Sequence, residues 1–278
     1  MSSEPADLDK LWNCGAWTNS GRTPQEVKDH FYKIVDECYD ENKKNVPVIE
    51  NVDYGGQYLD IWGKDPEKAE KIFIFIHGGY WQERKKEQAT TMVAPLTSLG
   101  IPVICLGYDL ALVKPLNQII EQVSKALKFI ADKYPNAKLI VSGHSAGGHL
   151  AVKAIENLED TSRFHDLVLF SGAYQLEEIS KTNIGRNINL TEMVKSCSVD
   201  ANKLKQKFTG RILIFYGEFD PPPFKTLAND LFESLKGGTL SIELTLQMVP
   251  KEDHFSLIEN LKDPSSVQTK EVLEFLKK

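Results

Sequence analysis

The amino-acid sequence predicts an α/β fold in which a mostly parallel sheet carries helices on both faces. Short runs rich in β-branched residues alternate with helix-period segments along most of the chain. The runs are apolar at nearly every position, as expected of strands covered on both faces. With 41% hydrophobic and 26% charged residues, the composition is typical of a globular domain. A single domain spanning 1–278 is therefore expected.

The predicted strands fall into three groups. An edge hairpin is expected at 48–52 and 57–62, because Gly55 and Gly56 separate two β-branched or aromatic runs. A last strand is expected at 242–249, where Leu244, Leu246 and Met248 alternate with more polar neighbours. The parallel strands are expected at 72–76, 103–106, 139–141, 167–170 and 212–216.

Helical periodicity fills the segments between these strands. Asp263 and Pro264 predict the start of a terminal helix, as a cap followed by a first-turn proline. Residues 1–45 are interpreted as an N-terminal extension, and the polar stretch 175–207 as a small lid-like insertion over the sheet edge. One apolar helix face is formed by Leu116, Ile119, Ile120, Val123, Leu127 and Ile130.

Charge and motif content argue against several classes of function. A net charge of -6 disfavours binding to nucleic acid. The sequence contains no apolar run of about eighteen residues, so no membrane-spanning helix is expected. The four cysteines form no C-x-x-C pair, which favours a reduced, cytoplasmic protein. No zinc spacing, dinucleotide fingerprint or phosphate loop is present, so no cofactor or metal is expected.

The strongest chemical signal is Gly143-His144-Ser145-Ala146-Gly147, between a predicted strand and a predicted helix. A G-x-S-x-G motif at such a junction is typical of the nucleophile elbow of α/β-hydrolases. The sharp turn strains the serine backbone, and glycine two residues away on either side avoids a collision. Ser145 is therefore the predicted nucleophile; the alternative is a glycine-rich turn with an exposed serine.

A second glycine motif, His77-Gly78-Gly79-Tyr80-Trp81, directly follows the strand predicted at 72–76. In this fold the loop at that place donates backbone N–H groups to the oxyanion, together with the residue after the nucleophile, here Ala146. His77 is interpreted as an anchor of the loop rather than as a base.

A serine nucleophile needs a base and an acid that orients it, in the chain order Ser, Asp or Glu, His. His149 lies one turn along the helix after Ser145, and His165 precedes a strand at its far end. His254 follows the last strand and is the predicted base. Asp220 is the predicted acid, with Glu218 as the alternative after the same strand.

These motifs together resemble the kynurenine formamidases (arylformamidases). His77 to Trp81 is similar to their HGGxW motif, and the GHSAGGHL of 143–150 to their nucleophile region. The resemblance covers nearly the whole chain. It implies cleavage of N-formyl-L-kynurenine to L-kynurenine and formate in tryptophan catabolism, without a cofactor. It also implies oxyanion donors at Gly79 and Tyr80, a cytosolic location and, as in some members, a homodimer.

The ring of an aromatic formamide substrate would pack well against aromatic side chains that line the binding site, and Tyr80, Trp81 and Phe224 are the candidates for these walls. Asn183, Arg186 and Asn187 in the insertion could meet its carboxylate, although a solvated lid face is the simpler interpretation. Two other functions stay open. One is a broad short-acyl carboxylesterase with the same catalytic residues, and the other is a non-catalytic hydrolase-fold binding protein.

Overall fold

A computed structural model describes residues 7–237 and 243–278 and contains one eight-stranded sheet. The strands follow the order β1-β2-β4-β3-β5-β6-β7-β8. β2 runs antiparallel to both β1 and β4, and all other neighbours are parallel. The strands are β1 (Val48–Asp53), β2 (Tyr58–Trp62), β3 (Lys71–Ile76), β4 (Val103–Leu106), β5 (Lys138–His144), β6 (Phe164–Phe170), β7 (Arg211–Gly217) and β8 (Glu243–Val249).

The helices surround this sheet, and the α/β-hydrolase fold is confirmed. None of the helices within the described residues is long and apolar enough to cross a membrane. The helices are α1 (Leu8–Leu11), α2 (Pro24–Asn45), α3 (Val93–Thr97), α4 (Leu116–Lys133), α5 (Ala146–Asn157), α6 (Asn183–Arg186), α7 (Val194–Cys197), α8 (Ala201–Lys207), α9 (Pro222–Leu235), α10 (Ser256–Glu259) and α11 (Val267–Lys277).

The central strands are buried because the sheet is covered on both faces. From Ile72 to Ile76 every side chain of β3 is at most 1% exposed, and the whole of β4 is buried. The six apolar residues of the predicted α4 stripe are likewise buried. The edge hairpin formed by β1 and β2 is confirmed. The predicted first residue of the last strand, Ile242, lies outside the described residues.

One predicted helix start is wrong. The terminal helix α11 begins at Val267, and its cap is Ser266, whose side chain accepts a hydrogen bond from the backbone N–H of Thr269. The Asp263 carboxylate instead accepts hydrogen bonds from the backbone N–H and the hydroxyl of Ser265, both at 2.8 Å. A local turn therefore satisfies this aspartate before the helix begins.

The N-terminal extension is largely helical. Thr23 caps α2 with a capping box, in which its side chain and that of Glu26 each accept a backbone N–H of the other residue, and Pro24 occupies the first turn. Residues 1–6 of the extension lie outside the described part. The predicted insertion contains α6, α7 and α8, and buried apolar residues such as Leu176 and Leu190 fix it to the core.

Candidate active site

Ser145 lies at the junction of β5 and α5, where the predicted nucleophile elbow would place it. Its backbone has φ 55° and ψ -120°, a conformation that is costly for a residue with a side chain. Gly147 allows this turn to pack against the end of β3. A Cβ at position 147 would lie 2.1 Å from the carbonyl oxygen of Ile76, so only glycine fits there.

His254 and Asp220 form a buried pair beside this turn. The imidazole Nδ1 lies 2.7 Å from Oδ1 of Asp220, and the two side chains are 2% and 0% exposed. The other carboxylate oxygen, Oδ2, accepts hydrogen bonds from the Ser171 hydroxyl at 2.5 Å and from the Gly217 backbone N–H at 2.6 Å. A carboxylate so held accepts the Nδ1 proton of the ring, which leaves Nε2 free to accept another.

Ser145 and His254 line the same cleft, whose volume is about 520 Å³. Within residues 7–237 and 243–278, no hydrogen bond joins the Ser145 hydroxyl to the imidazole. Such bonds are often long in unliganded enzymes and shorten when substrate binds. The structure thus brings the three predicted catalytic residues into one region and aligns the pair formed by His254 and Asp220.

The predicted oxyanion donors are backbone N–H groups of the glycine loop and of the elbow. Gly79 and Tyr80 both have positive φ, of 108° and 49°. In the described parts of the chain, the N–H groups of Gly79, Tyr80 and Ala146 donate to no acceptor. Gly79 also lines the cleft with Ser145. Three unsatisfied donors near a nucleophile are what a developing oxyanion requires.

Two of the three predicted aromatic walls do not line the cleft in the structure. Trp81 and Phe224 are fully buried, whereas Tyr80 does line the cleft. The indole N–H of Trp81 donates to His149 Nδ1 at 3.2 Å, so the ring belongs to the core beneath the loop. Phe224 packs against the His254 ring, with a centroid distance of 4.4 Å. Both positions depend on packing, which a hydrophobic residue type alone does not reveal.

The other histidines and the glutamate that were weighed against His254 and Asp220 lie away from the Asp220–His254 pair. His77 stacks on Tyr108 at 4.2 Å, as expected for an anchor of the loop. His149 is buried and bonded to Trp81 and to the carbonyl of Cys197, while His165 is exposed at the start of β6. Glu218 is exposed and accepts a hydrogen bond from the backbone N–H of Lys251. None of them contacts His254 as Asp220 does.

The insertion residues considered for carboxylate binding are otherwise engaged. The backbone N–H and the side-chain amide of Asn183 both donate to the Asp9 carboxylate, at 2.6 and 2.8 Å. Arg186 donates to the Asn183 side chain at 2.8 Å and lies 3.7 Å from Asp9. Only Asn183 of the three residues lines the cleft, and Asn187 is exposed elsewhere.

The N-terminal extension supplies cleft residues to which the sequence assigned no role. Trp12 and Cys14 line the cleft beside Ser145. The Tyr80 hydroxyl donates to the carbonyl of Trp12 at 2.5 Å and lies 3.1 Å from the Cys14 sulfur. The extension is thereby joined to the glycine loop. No local pattern in the sequence signals this contact, because it joins residues more than sixty positions apart.

Cys14 also influences the predicted base. Burial by itself would lower the pKa of the His254 imidazole, because the charged ring loses hydration. The neighbouring Cys14 sulfur and the hydrogen-bonded Asp220 carboxylate oppose burial and raise the pKa of His254 above its ordinary value of 6.5. Only the neutral ring can accept a proton, so a raised pKa moves the acid limb of the activity profile to higher pH.

Substitution Cys14→Ser is therefore expected to shift this acid limb to lower pH. Serine keeps the approximate size of the side chain but removes the Cys14 sulfur, whose interaction raises the pKa of His254. The measurement is kcat/KM as a function of pH for both proteins. Cys38→Ser is the control, since that thiol is buried against the carbonyl of Thr90. An unchanged limb, or a shift to higher pH, would contradict the expectation.

Comparisons with known proteins agree with this geometry. The BD-FAE family profile matches residues 59–214, more than half of the chain. A kynurenine formamidase of Salmo salar is 27% identical over 285 residues, covering 98% of this chain and 96% of that protein. A kynurenine formamidase of Drosophila melanogaster is 24% identical, covering 90% and 88%. The resemblance noted in the sequence is thus confirmed by relatives that extend over most of the chain.

Solved structures share the fold at low sequence identity. A candidate thioesterase from Silicibacter has a TM-score of 0.79 at 20% identity, covering 95% of this chain and 98% of that one. Esterase B from Lactobacillus rhamnosis has a TM-score of 0.68 at 16% identity, covering 91% and 92%. Together with the profile match, these observations establish that the chain belongs to the BD-FAE family of α/β-hydrolase-fold proteins.

Proposed function

We propose that this protein is an arylformamidase that hydrolyses N-formyl-L-kynurenine to L-kynurenine and formate in tryptophan catabolism. The observation that carries the proposal is the Asp220–His254 pair, which lies beside Ser145 and near three backbone N–H groups that donate to no acceptor among the described residues. Relatives named kynurenine formamidase, matched over most of their length, support the choice of substrate.

The proposed reaction has two stages. His254 accepts the Ser145 proton while the oxygen attacks the formyl carbon, and Asp220 stabilises the resulting imidazolium. The N–H groups of Gly79, Tyr80 and Ala146 bind the oxyanion. His254 then protonates the departing aniline nitrogen, and water, activated by the same ring, releases formate from Ser145. No step requires a metal or an organic cofactor.

The cleft supports an aromatic leaving group. Besides Tyr80, the aromatic residues Trp12 and Phe255 line it, whereas the predicted Trp81 and Phe224 do not. A ring stacked among these side chains would bury apolar surface while its amino-acid group stays near the polar rim. A cytosolic location and a homodimer, which the family resemblance implied, remain predictions.

A short-acyl carboxylesterase is the second candidate, because several solved structures of this fold are named esterases. The two activities would share every catalytic residue. The test is kcat/KM on N-formyl-L-kynurenine against p-nitrophenyl acetate with the same preparation. We expect the formamide to be preferred by at least about 100-fold, which corresponds to roughly 2.7 kcal/mol of differential transition-state binding. Preference for the ester would refute the proposed substrate.

A further inference from the structure

The cleft contains an arginine whose charge is not neutralised by the protein. Arg84 follows the glycine loop, has a φ of 78° and lines the cleft together with Ser145 and His254. In the described parts of the chain its guanidinium makes no hydrogen bond and no ion pair, and its Nε is buried without a partner. A partly buried N–H donor without an acceptor is unfavourable unless a ligand supplies one.

The other charged groups of the cleft already have partners. Lys28 and Glu83 form an ion pair at 2.8 Å. The Asp9 carboxylate accepts two hydrogen bonds from Asn183 and forms an ion pair with Arg186 at 3.7 Å. These groups therefore neutralise or satisfy one another, whereas Arg84 adds an uncompensated positive charge to the cleft.

Aromatic rings hold the Arg84 guanidinium in place. Its central carbon lies 4.2 Å from the centroid of Phe31 in α2 and 5.6 Å from that of Phe255, the residue after His254. Stacking on aromatic faces positions a guanidinium without using its N–H groups. Those donors remain available as a planar fork, which matches the two oxygens of a carboxylate.

We propose that Arg84 binds the carboxylate of the substrate's leaving group and so determines specificity for amino-acid-bearing formamides. The inference rests on the proposed function, because it deepens the choice of substrate for the same cleft. Arg84 replaces the insertion residues Asn183, Arg186 and Asn187 as the carboxylate ligand. Since Arg84 would contact the carboxylate of the leaving group and not the reacting carbonyl, it would act on KM rather than on the chemical step.

The test compares N-formyl-L-kynurenine with its carboxamide, in which only the negative charge is removed. In Arg84→Gln, we expect the ratio of kcat/KM for the acid to that for the carboxamide to fall roughly 10- to 100-fold, mainly through KM of the acid. Arg84→Lys keeps the charge but lacks the fork, and should restore part of the ratio. Lys85→Gln removes the adjacent exposed positive charge and should leave the ratio unchanged.

Equal losses on both substrates in Arg84→Gln, or an unchanged ratio, would overturn the role of Arg84. Calorimetric binding of the product L-kynurenine and of its carboxamide gives the same comparison without turnover. If the wild-type protein cleaves no formamide, the proposed function fails, yet binding still tests Arg84. Weaker binding of the acid alone in Arg84→Gln supports the inference, whereas equal binding, or no binding of either ligand to the wild type, overturns it.

Discussion

Substitution Ser145→Ala is expected to abolish turnover almost completely, with kcat falling about a millionfold. Without the hydroxyl no acyl-enzyme can form, and only transition-state binding by the backbone N–H groups would remain. The fold should persist, because alanine at position 145 faces the same backbone strain, at φ 55°, that serine already tolerates. The measurement is kcat on N-formyl-L-kynurenine, with labelling by a fluorophosphonate probe as an independent readout.

Ser142→Ala is the matched control for this experiment. Ser142 lies in β5 three residues before the nucleophile, and its hydroxyl is buried without a hydrogen-bond partner among the described residues. Removing it should leave both turnover and probe labelling close to those of the wild type. Retained turnover in Ser145→Ala would exclude Ser145 as the nucleophile. If the probe does not label the folded wild-type protein, the alternative of a non-catalytic binding protein would instead be favoured.

Substitution Asp220→Asn is expected to lower kcat by about four orders of magnitude. The Gly217 backbone N–H and the Ser171 hydroxyl both donate to Oδ2 of Asp220. Because a backbone N–H can only donate, the asparagine carbonyl oxygen must take that place. Its NH₂ group then faces His254 Nδ1, which becomes an acceptor, and the ring proton moves to Nε2. That tautomer cannot accept a proton from Ser145.

The control is Glu218→Gln, which alters the other acid considered for this role. Glu218 is exposed and bonds to the backbone N–H of Lys251 at 2.8 Å, so its loss should change kcat little. Steady-state kinetics and thermal unfolding on both variants separate catalytic from folding effects. Near-wild-type activity in Asp220→Asn, or a large loss in Glu218→Gln, would reassign the orienting acid.

Local sequence was sufficient to predict most of the sheet. The runs at 72–76 and 103–106 consist of apolar residues, as expected of strands buried on both faces of a sheet, and these two strands were predicted within one residue. The strands predicted at 139–141 and 167–170 are each three residues longer at one end in the structure. The cap of α11 was missed for a local reason as well. Asp263 can satisfy its carboxylate either at a helix start or in a turn with Ser265, and sequence pattern does not rank these two choices.

Residue type alone also did not show which residues line the cleft. Trp81 and Phe224 have the chemistry of a wall, but their burial depends on what packs around them. Trp12, Cys14 and Arg84 were not predicted, because their contacts with the cleft join the N-terminal extension, the glycine loop and the His254 loop. Such contacts are set by the way α2 and its flanking residues pack on the domain.

The sequence by itself determined the strand pattern, the elbow around Ser145 and the chain order of the three proposed catalytic residues. Each of these is specified by short-range sterics, by hydrophobic periodicity or by the order in which strands enter a parallel sheet. Only the tertiary structure decided which residues line the cleft and how the pKa of His254 is shifted. Burial, neighbouring charge and free hydrogen-bond donors depend on residues that are distant in sequence and adjacent only after folding.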